Sequence, residues 1–298
     1  MCGLAGVILK QKTRTEKELF EISGAFEQML VKANVRGGHA TGFAIIDKHG
    51  DYHICKKPLD SFDFFKNPEV HESIDLLYED VTCLMGHTRY ATLGSPSINK
   101  NNHPLRTGKT IGTHNGSIHN HKYLFNKFNM KRFAQVDSEA IFRLYDESKS
   151  VKDFTKNRLK KVRGKVAIVW ADLEFPDYVY ILKANNPLKM AYIPEFDIFA
   201  YGSTDEILTF PKWEHYEPIN IDSNTMLRIN TKNLTFEKTN IEITEPYARK
   251  NVGYYDSNIG AYRNTVSGFI PRFSYSDKQT SLWKKYLAND GSTIRKIK

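Results

Sequence analysis

The sequence has few cysteines and no long hydrophobic run, and each shortage excludes a class of protein. Three cysteines in 298 residues are too few, and odd in number, for a disulfide framework, which favours a reducing compartment such as the cytoplasm. The apolar stretch from Leu4 to Leu9 is shorter than a signal-peptide core, and no later run reaches the roughly 18 apolar residues of a membrane span. We therefore expect a soluble, cytoplasmic protein without membrane contact.

Charge is distributed unevenly along the chain. The formal net charge is +9, and residues 246–298 hold ten basic side chains against three acidic ones, which places +7 there and leaves +2 for the rest. Nine aromatic residues are interleaved with this charge. Such a shift predicts a boundary near residue 245, with a body over 2–245 and a basic, aromatic extension over 246–298.

Apolar periodicity predicts alternating strands and helices in the body. Helices are expected at about 15–34, 122–128, 138–148 and 151–162. Strands are expected at 4–9, 43–47, 52–56, 82–85, 109–113, 165–171, 178–183, 196–201, 225–229 and 234–238. Many strands in hairpin order with few helices indicate packed sheets covered by helices, an α+β fold.

Met1-Cys2-Gly3 is the first feature that suggests chemistry. A small second residue permits removal of the initiator methionine, which would leave Cys2 as the first residue. Its own α-amino group, with a reference pKa of about 7.7–8.0, would then be able to accept the thiol proton at neutral pH. Read alone, Cys2 is better explained as merely a small residue near the start of the chain.

Two further segments contain polar groups suited to an amino-acid substrate. Arg89, in the segment Gly86-His87-Thr88-Arg89, follows an apolar strand and would present a bidentate fork to a carboxylate, although a surface ion pair also explains it. Asn115-Gly116 is either a hairpin turn or an oxyanion hole, in which the Asn115 amide and the Gly116 N–H donate to a tetrahedral intermediate.

Asp137 and Ser138 stand at the start of a predicted helix, where either would serve as an N-cap. The alternative is that Asp137 holds the ammonium group of an amino-acid substrate. The histidines of this region, His103, His114 and His119 among them, fit no common zinc spacing, so we expect no metal site.

In this order, the segments resemble the glutaminase domain of class II glutamine amidotransferases, as found in glucosamine-6-phosphate synthase, amidophosphoribosyltransferase and asparagine synthetase. The resemblance runs from Cys2 to roughly residue 240. The shared segments are Cys2-Gly3-Leu4-Ala5-Gly6, Arg36-Gly37-Gly38-His39-Ala40-Thr41-Gly42, Gly86-His87-Thr88-Arg89, Asn115-Gly116, Asp137-Ser138-Glu139 and Gly202-Ser203-Thr204-Asp205.

The resemblance implies an N-terminal-nucleophile hydrolase fold, a four-layer αββα sandwich, and a glutaminase that forms a γ-glutamyl thioester and needs no cofactor. It implies site roles for seven residues. These are Cys2 as nucleophile, Asn115 and Gly116 as the oxyanion hole, Arg89, Thr92 and Asp137 as glutamine-binding residues, and Arg36 as the support of the terminal cysteine.

Two positions depart from the family pattern. Gly38-His39 stands where Tyr or Pro followed by Asp is usual, and Tyr90 stands where the glucosamine-forming members have Trp. The first departure predicts a differently shaped loop, and the second weakens assignment to that branch.

The extension is too short for the synthases usually fused to this domain, so we expect the ammonia acceptor to be a separate chain. The extension would dock that partner, cover the site or form an extra subdomain. Two other functions stay open, an amide hydrolase of the same fold with a non-glutamine substrate, and a nucleic-acid-associated protein that binds through the extension.

Overall fold

The computed structural model describes residues 1–75, 77–209, 213 and 215–244, together with two short strands at 254–256 and 261–263. The chain divides into two compact units, Met1–Pro246 and Tyr247–Lys298. In the second unit, the strands Tyr254–Asp256 and Ala261–Arg263 pair antiparallel. The rest of the predicted extension lies outside the described residues, and its role stays a prediction.

The larger unit is built from strands β1 to β13 and helices α1 to α7. The strands are β1 Gly3–Leu9, β2 Ala40–Asp47, β3 Tyr52–Lys57, β4 Val81–Arg89, β5 Leu105–Arg106, β6 Thr110–Ile118, β7 Gly164–Asp172, β8 Tyr178–Lys183, β9 Lys189–Ile193, β10 Ile198–Gly202, β11 Glu217–Ile219, β12 Thr225–Asn230 and β13 Thr235–Asn240. The helices are α1 Glu16–Ala33, α2 Ser61–Phe65, α3 Pro68–Ile74, α4 His121–Lys127, α5 Glu139–Asp146, α6 Val151–Asp153 and α7 Asp205–Leu208. None of these helices is long and apolar enough to cross a bilayer.

The strands form two antiparallel sheets. The first has seven strands in the order β11-β9-β10-β1-β4-β2-β3, and the second has six in the order β13-β12-β8-β7-β6-β5. The N-terminal strand β1 is therefore central in its sheet, hydrogen-bonded to β10 on one side and β4 on the other. This position holds the residue that precedes β1 firmly against the end of β4.

Side-chain alternation along the strands produces four layers. On β1, Ala5 and Val7 belong to the same buried cluster as Phe26 of α1, whereas Leu4 and Ile8 belong to the cluster between the sheets. The outer face of the second sheet packs against α5, where Trp170 of β7 shares a cluster with Phe142. The helix, sheet, sheet, helix order confirms the predicted αββα sandwich.

Helix α1 matches its prediction because both its period and its start are encoded locally. Thr15 forms a capping box, in which its hydroxyl accepts the Glu18 N–H and its own N–H donates to the Glu18 carboxylate. The expected helix at 151–162 is wrong in type, because only Val151–Asp153 is α-helical and a π-helix and a 3₁₀-helix follow at 154–158 and 159–161.

The main differences from expectation lie in β4 and β6. Both strands continue four or five residues past their apolar cores, through Gly86-His87-Thr88-Arg89 and through His114-Asn115-Gly116. Hydrogen bonding to the neighbouring strands keeps these polar segments extended. Of the candidate site residues, Arg89, Asn115 and Gly116 therefore lie on strands, where their backbones are rigid.

Candidate active site

Cys2 lies just before β1 and beside the end of β4, because Gly3 pairs with Thr88. The Tyr90 N–H points at the Cys2 Sγ from 3.4 Å, and the thiol lies 3.7 Å from the Tyr90 carbonyl. The Arg36 Nε donates to the Cys2 carbonyl oxygen at 3.0 Å. The main chain of the candidate nucleophile is thus fixed on two sides, and the thiol is half-buried and free of any disulfide.

The environment sets the reactivity of this thiol in the chain that retains Met1. Burial raises the pKa of the Cys2 thiol, while the Tyr90 N–H, the terminal amine and the charge of Arg89 act to lower it. The carboxylate of Asp137 acts in the opposite direction and raises it. The thiol, Arg89 and Asp137 therefore lie within electrostatic reach of one another.

Arg89 is buried at the end of β4, with its guanidinium holding the loop that follows. Its Nη1 donates to the Asn102 side-chain oxygen at 2.7 Å, and its Nη2 donates to the carbonyls of Leu93 and Gly94 at 2.7 and 2.6 Å. These bonds use three of the five N–H donors of a guanidinium. The predicted surface ion pair is wrong, because the side chain is 3% exposed and turned inward.

The structure excludes the hairpin-turn interpretation of Asn115-Gly116. Both residues lie within β6, paired with Ala167 and Val166 of β7. The Asn115 side chain is 1% exposed, and its Oδ1 and Nδ2 have no hydrogen-bond partner among the described residues. A buried amide without partners costs about 1–3 kcal/mol. A group this costly, beside Gly116, is typical of a ligand-binding position.

The direction of the Gly116 N–H follows from the ladder. Val166, opposite Gly116, directs both backbone groups away from β6, with its N–H donating to the Asn185 side chain and its carbonyl accepting from Ala184. In an antiparallel pair, this makes Gly116 and Val166 a non-hydrogen-bonded pair. The Gly116 N–H consequently points to the edge of β6 opposite β7.

Asp137 occupies that same edge of β6. Its carboxylate accepts the N–H of Ile118, two residues beyond Gly116. Ser138, which follows it, stands at the N-cap position of α5 but makes no capping bond there, so the predicted capping role is wrong for Ser138. Thr92 is exposed on the loop after β4 and makes no hydrogen bond to another candidate residue within the described chain.

The two departures from the family pattern contact each other. His39 stacks on Tyr90 with ring centroids 5.0 Å apart, and its Nδ1 accepts the Ala91 N–H at 3.0 Å. The loop reaches this position because Gly37 packs directly on the backbone of Arg89, where a Cβ would come within 2.4 Å of the carbonyl carbon. The residues at positions 39 and 90 therefore contact each other beside Cys2.

Sequence reasoning assigned no role to several residues that support the site. Asn102 binds the Arg89 guanidinium, Ser203 accepts the Leu4 N–H at 2.9 Å, and His114 lies between β7 and Ser138. Of these three, only Ser203 lies in a segment shared with the family, and the partners of all three are distant in sequence. Within the described residues, no group of three or more His, Cys, Asp or Glu side chains is arranged to hold a metal ion.

No family model matches the chain. The chain is 25% identical over 240 residues to the 7-cyano-7-deazaguanine synthase of Saccharolobus solfataricus, and the match covers 76% of this chain and 50% of that protein. It is 28% identical over 230 residues to the glutamine–fructose-6-phosphate aminotransferase of Encephalitozoon cuniculi, with 69% of this chain and 32% of that protein covered. The chain thus spans half or less of the length of these relatives.

Solved structures show the same fold. The glutamine phosphoribosylpyrophosphate amidotransferase of B. subtilis superposes with a TM-score of 0.61 at 20% identity, over 81% of this chain and 51% of that one. A glutamine aminotransferase class-II domain protein from Silicibacter pomeroyi superposes with a TM-score of 0.52 at 12% identity, over 80% of this chain and 98% of that one. These comparisons confirm the resemblance predicted from the sequence: the chain is related to the class II glutamine amidotransferases and has their N-terminal-nucleophile hydrolase fold.

Proposed function

We propose that the chain is the glutaminase component of a glutamine amidotransferase, with Cys2 as its nucleophile once Met1 is removed. The observation that supports this most is the buried Asn115 amide, which has no hydrogen-bond partner among the described residues. It lies beside the Gly116 N–H, which points away from β7. Two preorganised donors of this kind are what a developing oxyanion requires. Asn115 and Gly116 lie on β6, in the sheet that packs against the sheet of β1, and β1 begins directly after Cys2.

The proposed reaction begins with transfer of the Cys2 thiol proton to its own α-amino group, while the sulfur bonds to the side-chain carboxamide carbon of glutamine. Asn115 and Gly116 donate to the resulting oxyanion. Collapse breaks the C–N bond, and the amine returns the proton to the departing nitrogen, which leaves as ammonia. Water then hydrolyses the γ-glutamyl thioester to glutamate and restores the thiol.

Substrate recognition is assigned to charges around this centre. Arg89 is proposed to bind the glutamine carboxylate with donors left beyond its loop contacts, and Asp137 the ammonium group. Thr92, on the exposed loop, would contact the substrate only when that loop closes over it. Arg36 is proposed to hold the terminal residue through its bond to the Cys2 carbonyl.

The ammonia is proposed to pass to a separate synthase. The names of the two sequence relatives describe different reactions, and the matched region covers only 50% and 32% of their lengths. A shared glutaminase region joined to different remaining regions supports a division in which this region makes ammonia and another consumes it.

The test is mass spectrometry of the native protein after reaction with a diazoketone analogue of glutamine, together with release of glutamate and ammonia from glutamine. We expect a chain that lacks Met1, one covalent adduct on Cys2, and hydrolysis of glutamine. Arg89→Ala should abolish most of the adduct, whereas iodoacetamide, which has no carboxylate, should still alkylate Cys2 in that variant, more slowly at a given pH because the charge of Arg89 no longer lowers the thiol pKa.

Two outcomes would replace the proposal. Hydrolysis of simple acyl amides with Arg89→Ala fully active would identify an amide hydrolase of the same fold. Salt-dependent binding to DNA with no adduct and no hydrolysis would identify a nucleic-acid-associated protein instead.

A further inference from the structure

The ring of His114 connects two parts of the candidate site. His114 lies on β6 immediately before Asn115 and is 1% exposed. Its Nε2 lies 3.2 Å from the Lys165 carbonyl oxygen on β7, and its Nδ1 lies 2.8 Å from the Ser138 hydroxyl. One side chain thus bridges the strand beside the oxyanion donors and the residue that follows Asp137.

The partners of the ring determine where its proton lies. A carbonyl oxygen only accepts, so Nε2 must carry the hydrogen that bonds Lys165. Burial lowers the pKa of His114, against the opposing charge of Asp137, and so favours the neutral ring. In a neutral ring with Nε2 protonated, Nδ1 accepts, and the Ser138 hydroxyl donates to it.

The Lys165 end of the bridge lies against Gly116. A Cβ built on Gly116 would come within 1.8 Å of the Lys165 carbonyl oxygen and 2.7 Å of the His114 Nε2. Gly116 also has a φ of 150°, a conformation that favours glycine. Both the conformation and the close approach to Lys165 therefore require the absence of a side chain at this position. The bond from His114 fixes the carbonyl that the Gly116 backbone rests on.

The backbone of His114 and Asn115 is anchored as well. His87 of β4 directs its Nε2 to the His114 carbonyl at 3.1 Å, and because a carbonyl only accepts, that nitrogen donates. The Asn186 side chain donates to the Asn115 carbonyl at 2.8 Å. With these two carbonyls held, the backbone that carries the His114 ring is fixed.

The Ser138 end of the bridge lies next to the candidate ammonium-binding carboxylate. Ser138 does not use its hydroxyl to cap α5, although it stands at the N-cap position where serine usually does so. The hydroxyl is directed to His114 instead. The neighbouring Asp137 binds the Ile118 N–H on β6, so the carboxylate and the ring are both tied to one strand.

We propose that His114 is a positioning residue that sets the oxyanion donors through Lys165 and the substrate-binding Asp137 through Ser138. This inference rests on the proposed glutaminase function. Its two ends act on different steps. The Lys165 end affects stabilisation of the oxyanion, which forms only during reaction, and the Ser138 end affects binding of glutamine in the ground state.

A crossed set of substitutions separates the two ends in the full chain. Asparagine places an amide where Nδ1 was, so His114→Asn keeps an acceptor for Ser138 and loses the bond to Lys165. Glutamine places an amide where Nε2 was, so His114→Gln keeps the donor for Lys165 and loses the acceptor for Ser138. Ser138→Ala is the matched control for the second loss.

We expect His114→Asn to lower kcat for glutamine hydrolysis about tenfold with KM close to the parent value, since one hydrogen bond is at stake. We expect His114→Gln and Ser138→Ala to raise KM about tenfold with smaller changes in kcat. The positioning role would be overturned if His114→Asn and His114→Gln changed kcat and KM in the same way, or if both variants had the kinetics of the parent.

Folding is checked by thermal melting and by alkylation of Cys2 with iodoacetamide, neither of which needs glutamine bound. If His114→Asn and His114→Gln both fail to fold, Ser138→Ala decides, and an unchanged KM in that variant overturns the inference. Absence of glutamine hydrolysis in the parent overturns the proposed function. If the parent is active but His114→Asn does not mainly lower kcat and His114→Gln does not mainly raise KM, only the role of His114 is overturned.

Discussion

Replacing Asn115 with alanine should reduce activity without reducing stability. The Asn115 side chain is 1% exposed, yet neither its oxygen nor its nitrogen has a partner among the described residues. Its backbone stays bonded in the variant, because the carbonyl accepts from Asn186 and the strand pairing with Ala167 is unaffected by the side chain. The substitution therefore removes only the group proposed to stabilise the oxyanion.

The substitution is expected to lower activity but not stability. Loss of one oxyanion donor costs about 2.7–4 kcal/mol of transition-state stabilisation, or roughly 10²–10³ in kcat. Burying the unpartnered amide costs the folded chain about 1–3 kcal/mol, which alanine removes. The small cavity left by the amide offsets part of that gain. We expect the melting temperature to stay within about 2–4 °C of the parent value or to rise.

The assay measures glutamate release under saturating glutamine, together with thermal melting of the same preparations. Asn101→Ala is the control for stability, because Asn101 is fully buried and its side chain bonds Ser95 and Gln135. That variant should melt at a lower temperature. Turnover of Asn115→Ala within threefold of the parent, or a clear fall in its melting temperature, would refute the reasoning.

Three further predictions concern the surroundings of Cys2. Gly37→Ala should lower both turnover and melting temperature, because its Cβ would lie 2.4 Å from the Arg89 carbonyl carbon. Gly38→Ala is the control and should be tolerated, because its nearest contacts are at 3.6 Å. If the two variants changed melting temperature and kcat equally, the prediction would be wrong. A chain that keeps an uncleaved residue before Cys2 should have a turnover at least about 100-fold lower, because the α-amino group of Cys2 is then in a peptide bond and cannot act as the base. Proteolytic removal of the residue before Cys2 should restore turnover, and full turnover before that removal would contradict the role of the α-amino group. Because burial raises the pKa of the Cys2 thiol, the rate of its alkylation should increase as pH rises.

The sequence alone determined the elements whose signals are local. The capping box and apolar spacing of α1 are contained in one stretch of chain, and the strands predicted at 43–47 and 52–56 pair with each other as β2 and β3. The helix type at 154–161 was not, because its π- and 3₁₀-helical turns give no signal distinct from α-helical periodicity.

The sequence alone also pointed to Cys2, Arg89, Asn115 and Asp137 as a set, through their order along the chain. Only the tertiary structure decided how each group is held. The turn interpretation of Asn115 failed because β7, the neighbouring strand of the same sheet, pairs with it, and the ion-pair interpretation of Arg89 failed because its partners are the Asn102 side chain and two loop carbonyls. The role inferred for His114 depends on a carbonyl and a hydroxyl 51 and 24 residues away. Hydrogen bonds between residues so far apart are made by strand order and register, which no local pattern of side chains encodes.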